Sequence, residues 1–469
     1  MARVLKNGVI GFFSALLLAA CFENSGSSAI KPPKKLFDYS SSHLSAATLK
    51  ANIANVKARG FSGTAVRMTV GSTIFNKVPY STADLESEIN NLKLAVSSDL
   101  PDNLLKIDSA TADGWSWLSD ADWAATEQNV AAFAKAAKVA GFKGFAFDPE
   151  PYGPNPWLYR PADFGGKNLA QVSSVVKERG RRFMTITQTE LPQARLLFLK
   201  LMNEIRQHSE DIKSAAEYEL LKPFFEGMLE VANAGVQFVD GNEGSYHYTK
   251  ASDFDGGKAY ILGTESLFPL ELRQKFKNQL SVSHSIYVDG VMNLFASPRF
   301  IGYYLQNNDE RLKLFEHNLF NAARSSDEFV WVYSESINWW TLKDVPAGLE
   351  AAMKGGLGKV NAAKPLGFEV SGFVTPAVAG LKSSINISGI VTKGSFGARG
   401  AIIRSGISDA KKNESACVVY NDLGDYDCTL PKGWSGRLTP TLQGSSFEPA
   451  NRVYDNLQSG QGDQDFKVK

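Results

Sequence analysis

Histidine and cysteine are scarce in this 469-residue sequence, five of one and three of the other, which leaves little with which to hold a metal ion. No His-x-x-x-His or Cys-x-x-Cys spacing occurs, and a zinc site would have to draw His247 and His284 together with Asp240 or Asp289. No metal and no organic cofactor is therefore expected. The Gly-rich turn that cradles a dinucleotide is missing, as is the Gly-Lys-Ser/Thr loop that holds phosphates. No Gly-x-Ser-x-Gly elbow offers a serine nucleophile between a strand and a helix. An excess of one charge is missing too: 50 Lys and Arg stand against 49 Asp and Glu, with no basic block interleaved with aromatics. Such a surface exerts no long-range pull on nucleic acid, which is excluded as a partner.

What is present at the start is a short apolar run. Val9 to Ala20 follows Arg3 and Lys6, the pattern of a secretory signal, and is about half the length a bilayer span requires. It ends in Leu18-Ala19-Ala20-Cys21, which resembles the lipobox of bacterial lipoproteins. The resemblance implies cleavage before Cys21 and a lipid anchor on that residue, holding the chain at the bacterial outer membrane or cell surface. A secreted protein cut near Ala20, with Cys21 free, is the other reading. Residues 1–20 are then the signal peptide and 21–34 a tether bearing Ser, Gly and Pro. The 449 residues from Cys21 onward exceed one ordinary core, so two domains are expected.

From 35 to 366 short apolar runs alternate with helical patterns. Strands are expected at Gly60 to Arg67, Leu104 to Ile107, Phe142 to Phe147, Phe183 to Thr187, Gly235 to Val239, Ser285 to Val288 and Phe329 to Tyr333. An eighth lies near Phe300 to Tyr304. Helices are expected over Trp123 to Ala140, Arg195 to Arg206, Ala216 to Ala234 and Arg311 to Ala323. Repeated strand and helix imply a parallel α/β architecture, and this number of repeats favours a (β/α)8 TIM-like barrel over an open sheet. A barrel gathers its chemistry at the carboxyl ends of its strands.

Three of the expected strands run into acidic residues there: Asp148-Pro149-Glu150, Asp240-Gly241-Asn242-Glu243, and Ser334-Glu335. A barrel brings these ends to one rim, the arrangement that paired-carboxyl cleavage of a glycosidic bond needs. Asp148 and Glu150 are two apart and share a face in an extended stretch, so both ionised they repel, and one pKa tends to rise. Aromatic rings and hydrogen-bonding groups crowd the same segments, and a sugar ring with its apolar faces and hydroxylated rim suits both. The candidates are Trp115 and Trp117 after the second strand, Tyr152, Trp157 and Tyr159 after Glu150, Asp240 and Asn242 before Glu243, Tyr246 and His247 after it, Trp331 and Tyr333 before Glu335, and Trp339 and Trp340 after that.

Together these segments resemble the barrel glycoside hydrolases, including the superfamily that uses glutamates after its fourth and seventh strands. In that resemblance Asn242-Glu243 matches the Asn-Glu acid/base motif and Glu335 the nucleophile of a late strand. The strand count departs from it by placing Glu243 after a fifth strand. Asp148-Pro149-Glu150 is loosely similar to the end of the chitinase-type acidic motif, although Lys143, Gly144 and Ala146 stand where spaced aspartates would. The resemblance implies hydrolysis of polysaccharide or oligosaccharide, with Glu150 or Glu243 as general acid/base, Glu335 as nucleophile or base and Asp148 as modulator. A non-catalytic glycan-binding surface lipoprotein is one alternative; a polysaccharide deacetylase or lyase is another.

Near Lys354 to Lys364 the composition shifts to Gly, Lys and Ala, and a domain boundary is expected by Gly367. Short β-like runs follow at Gly372 to Pro376, Ser384 to Val391, Gly400 to Ile403 and Ala416 to Tyr420, implying an all-β sandwich over 367–460. Cys417 and Cys428 are expected to pair in an oxidising compartment. Gly433-Trp434-Ser435-Gly436, with Phe447-Glu448-Pro449-Ala450 and Tyr454, resembles the ending of immunoglobulin-like or prealbumin-like modules of bacterial surface proteins. That implies an accessory or spacer domain in which Trp434 is structural. Residues 461–469 are polar and expected to form a disordered tail.

Overall fold

The computed structural model describes residues 32–40, 45–95, 100–209, 217–394, 396–398, 400–406, 415–419 and 424–469. The expected signal peptide, Cys21 and most of the tether lie outside the described residues. Nine parallel strand segments form one sheet: β1 Lys35–Asp38, β2 Phe61–Val66, β3 Leu104–Asp108, β4 Gly144–Asp148, β5 Arg195–Phe198, β6 Gln237–Asp240, β7 Leu280–Val282, β8 His284–Tyr287 and β9 Phe329–Tyr333. Their order is β7-β6-β5-β4-β3-β2-β1-β9-β8, so sequence order is kept around the sheet. Only Ser283 separates β7 from β8. Its N–H donates to Asp240 O on β6 at 2.8 Å, and its hydroxyl donates to Phe329 O on β9 at 2.7 Å. β7 and β8 are thus the two halves of one kinked seventh strand, and the sheet closes through it into an eight-stranded TIM-like barrel.

Alternation along each strand divides the residues between two cores. Phe37, Leu104, Ala146, Leu197, Val239, Phe329 and Trp331 pack inside the barrel. Their neighbours Leu36, Leu105, Phe145, Phe147, Leu196, Phe198, Val330 and Val332 face outward into the larger cluster under the helices. The helix Asp120–Ala140 shows why these segments fold locally. Ser119 caps its start by accepting from Asp122 N–H, its alanines bury closely against the sheet, and Gly141 ends it at φ 79°.

Several sequence expectations are corrected. Phe183 to Thr187 lies in the helix Leu169–Glu190, not in a strand. Asn168 and Gln171 form a capping box that starts this helix, and Val176, Gly180, Phe183 and Thr187 recur on its buried face at helical spacing. Arg195 begins strand β5, and the helix follows only at Met202–Ser209. β1 was not expected. Phe300 to Tyr304 holds a 3-10 turn, Ile301–Tyr303.

The boundary also moves. Gly372 to Pro376 belongs to the helix Ser371–Lys382, and Val370, Val374 and Ala377 pack into the barrel's outer cluster. Small β sheets begin only at Ser384. One is built on Ser384–Lys393 and the other on Ile402–Gly406 and Trp434–Thr441; Ile387, Val391, Ile403, Tyr426, Leu438 and Phe466 from both share one core. Cys417 and Cys428 form a disulfide across them, with Cα atoms 5.3 Å apart. The tail ends in a strand, Phe466–Val468, because alternate residues Phe466 and Val468 bury themselves beside Val391 and Phe447.

Candidate active site

A cavity of about 370 Å³ occupies the carboxyl-terminal mouth of the barrel, lined by Tyr39, Arg67, Thr73, Lys106, Asp108, Ala110, Asp148, Tyr152, Leu199, Glu243, Tyr246, Tyr333 and Glu335. Most of these residues reach it by simple alternation. Tyr39 continues the inward face of Phe37, Lys106 and Asp108 that of Leu104, Asp148 that of Ala146, and Tyr333 that of Trp331.

Two glutamates and a lysine enter from three neighbouring loops. Glu150 follows β4, Glu243 follows β6, and the Lys200 ammonium between them follows β5. Lys200 Nζ stands 3.5 Å from Glu150 Oε2 and 3.6 Å from Glu243 Oε2, so one ammonium bridges the two carboxyls. Tyr152 donates its hydroxyl to Glu150 Oε2 at 2.9 Å. On the far side Tyr287 and Tyr333 both donate to Glu335 Oε1, at 3.3 and 3.2 Å, which orients that carboxyl. Tyr246 stacks on Tyr333 at 5.9 Å and meets Tyr287 tilted at 5.1 Å, forming an aromatic wall between Glu243 and Glu335.

Burial governs the titration of the mouth. Burial pushes Glu243 above the ordinary glutamate range, with the Lys200 charge opposing and the charges of Glu150 and Glu204 adding. Asp148 is pushed well up by burial, against the pull of Lys106 and with help from Asp108, Glu150 and Glu243. Lys200 loses stability as a cation by burial, but Glu243 and Glu150 more than restore it, and its pKa ends well above that of a free lysine. It therefore serves as a fixed positive charge, not as an amine nucleophile.

The structure brings Asp148, Glu150, Glu243, Glu335, Tyr152, Tyr246 and Tyr333 to one rim. His247 is exposed nearby and stacks on Phe300 at 5.3 Å. Other candidates are corrected. Trp115, Trp117, Trp157, Trp331, Trp339 and Trp340 are at most 9% exposed and none lines the mouth cavity; Trp115 and Trp117 edge a separate cavity beside Pro154 and Pro156. Trp117, Trp157 and Trp331 donate their indole N–H to the carbonyls of Pro156, Pro149 and Gly241.

Asp240 sits on the outward face of β6, pushed up to about 6 by burial, and accepts from Met202 N–H at 2.7 Å and Asn242 N–H at 2.8 Å. It anchors loops instead of meeting ligand. Asn242 is buried in the left-handed turn at φ 42°, with its amide 2.9 Å from His284 Nδ1. The corrected strand count also places Asn242-Glu243 after the sixth strand and Glu335 after the eighth, while Glu150 follows the fourth. At the end of the seventh, Asp289 accepts from Glu335 N–H at 2.8 Å and Ser336 N–H at 3.0 Å, and so holds the Glu335 loop. Tyr39, Arg67, Lys106, Asp108, Lys200 and Tyr287 were missed; for Tyr39, Lys106 and Asp108 the available signal was their parity with Phe37 and Leu104. Among the described residues no three His, Cys, Asp or Glu are grouped to hold a metal ion.

No family model matches the chain, and no curated protein matches it. Solved structures give distant likenesses. A GH5-4 broad specificity endoglucanase from Clostridium longisporum is 9% identical over 66% of this chain and 86% of its own, with a TM-score of 0.39. A family 5 xyloglucanase from Paenibacillus pabuli gives 9%, 66%, 90% and 0.39. A sugar phosphate isomerase/epimerase from Parabacteroides distasonis gives 12%, 69%, 96% and 0.32. At these scores the likenesses carry no argument, and the chemistry rests on the residues themselves.

Proposed function

We propose that the barrel is a glycoside hydrolase acting on polysaccharide or oligosaccharide. The observation that carries this reading is the convergence of carboxyl groups from three strand ends on one mouth. Glu243 is half-buried with a raised pKa and a second carboxyl beside it, and Glu335 stands beyond the tyrosine wall, oriented by two phenols. Glu243 retains its proton more readily than an exposed glutamate and delivers it to the leaving glycosidic oxygen. Glu335 attacks the anomeric carbon or takes a proton from the attacking water. Glu150 and Glu204 add the negative charge that helps keep the proton on Glu243. The small β sheets are read as an accessory module. Cys21 is read as the lipid anchor of an exported chain.

The test is a polysaccharide panel treated with the full chain and with Glu243→Gln and Glu335→Gln. The expected outcome is products from the parent and a loss of about a hundred- to ten-thousandfold in each variant, with folding unchanged. In the same preparations the parent chain is expected in the membrane fraction and Cys21→Ser in the soluble one. Products that survive both glutamine variants, or a parent silent on every polysaccharide, would overturn the hydrolase.

A further inference from the structure

Tyr39 carries a hydroxyl that the protein itself does not use. The residue is 3% exposed, lines the mouth cavity, and has no hydrogen-bond partner for its hydroxyl among the described residues. Leaving a buried hydroxyl unpaired is costly, and side chains kept in that state commonly meet a ligand or an ordered water. Its place is fixed from behind. Tyr39 N–H donates to Val332 O at 2.9 Å, and the ring meets Trp331 edge-on at 5.6 Å. Burial and the nearby charges of Asp148, Asp108 and Glu243 hold the phenol in its protonated form, so it remains a donor.

Beside it lies an ion pair pointing into the same cavity. Lys106 Nζ is 3.2 Å from Asp108 Oδ1 and 5.5 Å from the centre of the Tyr39 ring. Ser72 donates to the other oxygen, Asp108 Oδ2, and so fixes the carboxylate. Two donors and one acceptor therefore stand together on the β1–β3 side of the mouth. A carboxylated ligand would meet Asp108 and Asp148 there, and a cationic one would meet Lys106 and Arg67. A hydroxyl donates and accepts at once, and two adjacent hydroxyls match this mixed set without adding charge.

We propose that Tyr39, Lys106 and Asp108 form a recognition subsite for two neighbouring hydroxyls of a neutral sugar ring. The choice of sugar as ligand rests on the hydrolase reading; the polar trio itself does not.

The experiment measures binding of cello-, xylo-, manno- and chito-oligosaccharides to the full chain carrying Glu335→Gln, with and without Tyr39→Phe, and thermal unfolding of both without sugar. The expected result is about tenfold weaker binding of the best oligosaccharide in the Tyr39→Phe chain, which unfolds no lower than its parent because only an unpaired hydroxyl is gone. Asp108→Asn is expected to weaken the same oligosaccharide. Equal binding in the Tyr39→Phe chain, a clearly lower unfolding temperature, or no binding of any oligosaccharide by the parent overturns the subsite. Tyr39-dependent binding in a chain whose native form releases no product sinks the hydrolase and keeps the subsite. Hydrolysis with KM unchanged by Tyr39→Phe does the reverse.

Discussion

Lys200 is the residue on which the two neighbouring glutamates depend. Its ammonium faces Glu150, Glu243, Glu204 and the ring of Tyr218, and its pKa stays raised because the carboxylates outweigh its burial. Removing the charge takes away the main force that lowers the pKa of Glu243, so that group rises further. A general acid works in its protonated form, and activity fails as pH climbs through its pKa. Lys200→Met is therefore expected to move the alkaline limb of kcat/KM to higher pH, while Lys200→Arg, which keeps the charge, leaves that limb near its original position. Asp148 and Tyr246 face Glu243 as well, but neither is a cation able to replace Lys200. The check is a pH–rate profile of all three chains. Activity that drops in Lys200→Met with an unmoved limb would reduce Lys200 to a packing role.

At the scale of elements, close helix contact sets limits that propensity does not reveal. The helices Leu169–Glu190 and Leu221–Val231 meet through glycines: a Cβ on Gly227 would stand 1.9 Å from Lys177 O, and one on Gly180 would stand 2.1 Å from Phe224 O. Alanine is worth about 1 kcal/mol over glycine inside a helix, but backbone carbonyls cannot yield to a methyl group as a side-chain end can. Gly227→Ala is expected to destabilise by about 2 kcal/mol or more. Gly256→Ala, in the helix Ala251–Leu262 with nothing within 4 Å of the new carbon, is expected to stabilise by up to about 1 kcal/mol. Denaturant midpoints decide, and a stabilised Gly227→Ala chain would contradict the packing.

The same contrast between local and tertiary signals explains what the sequence discloses. Long apolar strands such as Phe329–Tyr333, and the helix Asp120–Ala140 with its cap and terminal glycine, are legible because their local pattern has one solution. The segment Phe183 to Thr187 is not, since a short apolar run rich in threonine suits either element and only the distant cap at Asn168 decides. In the site, the acidic residues at strand ends are visible, but their inward or outward facing is not. Asp148 and Asp240 look alike in sequence; one lines the mouth and the other anchors Met202 and Asn242. The tryptophans mislead for a related reason, because large rings beside strand ends fill barrel walls as readily as they bind sugars.

At the scale of the whole molecule, two sets of apolar clusters stay apart. The barrel's inner and outer clusters draw on residues up to Ala377, whereas the cluster of the small sheets begins at Ile385. Where they join, Lys432 N–H donates to Ser383 O at 3.0 Å and Ser384 Oγ donates to Leu381 O at 2.6 Å, and among the described residues no apolar cluster spans the two. The Cys417–Cys428 disulfide lies wholly on the later side and ties a strand of one small sheet to a strand of the other. Closing so short a loop restricts the unfolded chain and stabilises by about 2–3 kcal/mol. Reduction, or Cys417→Ser with Cys428→Ser, is therefore expected to lower only the unfolding transition of the small sheets. The barrel transition and the activity at the mouth are expected to remain, because no residue lining that cavity lies beyond Glu335. Calorimetric scans with and without reductant make the comparison. A single transition shifting as a whole would show that the small sheets fold as one unit with the barrel.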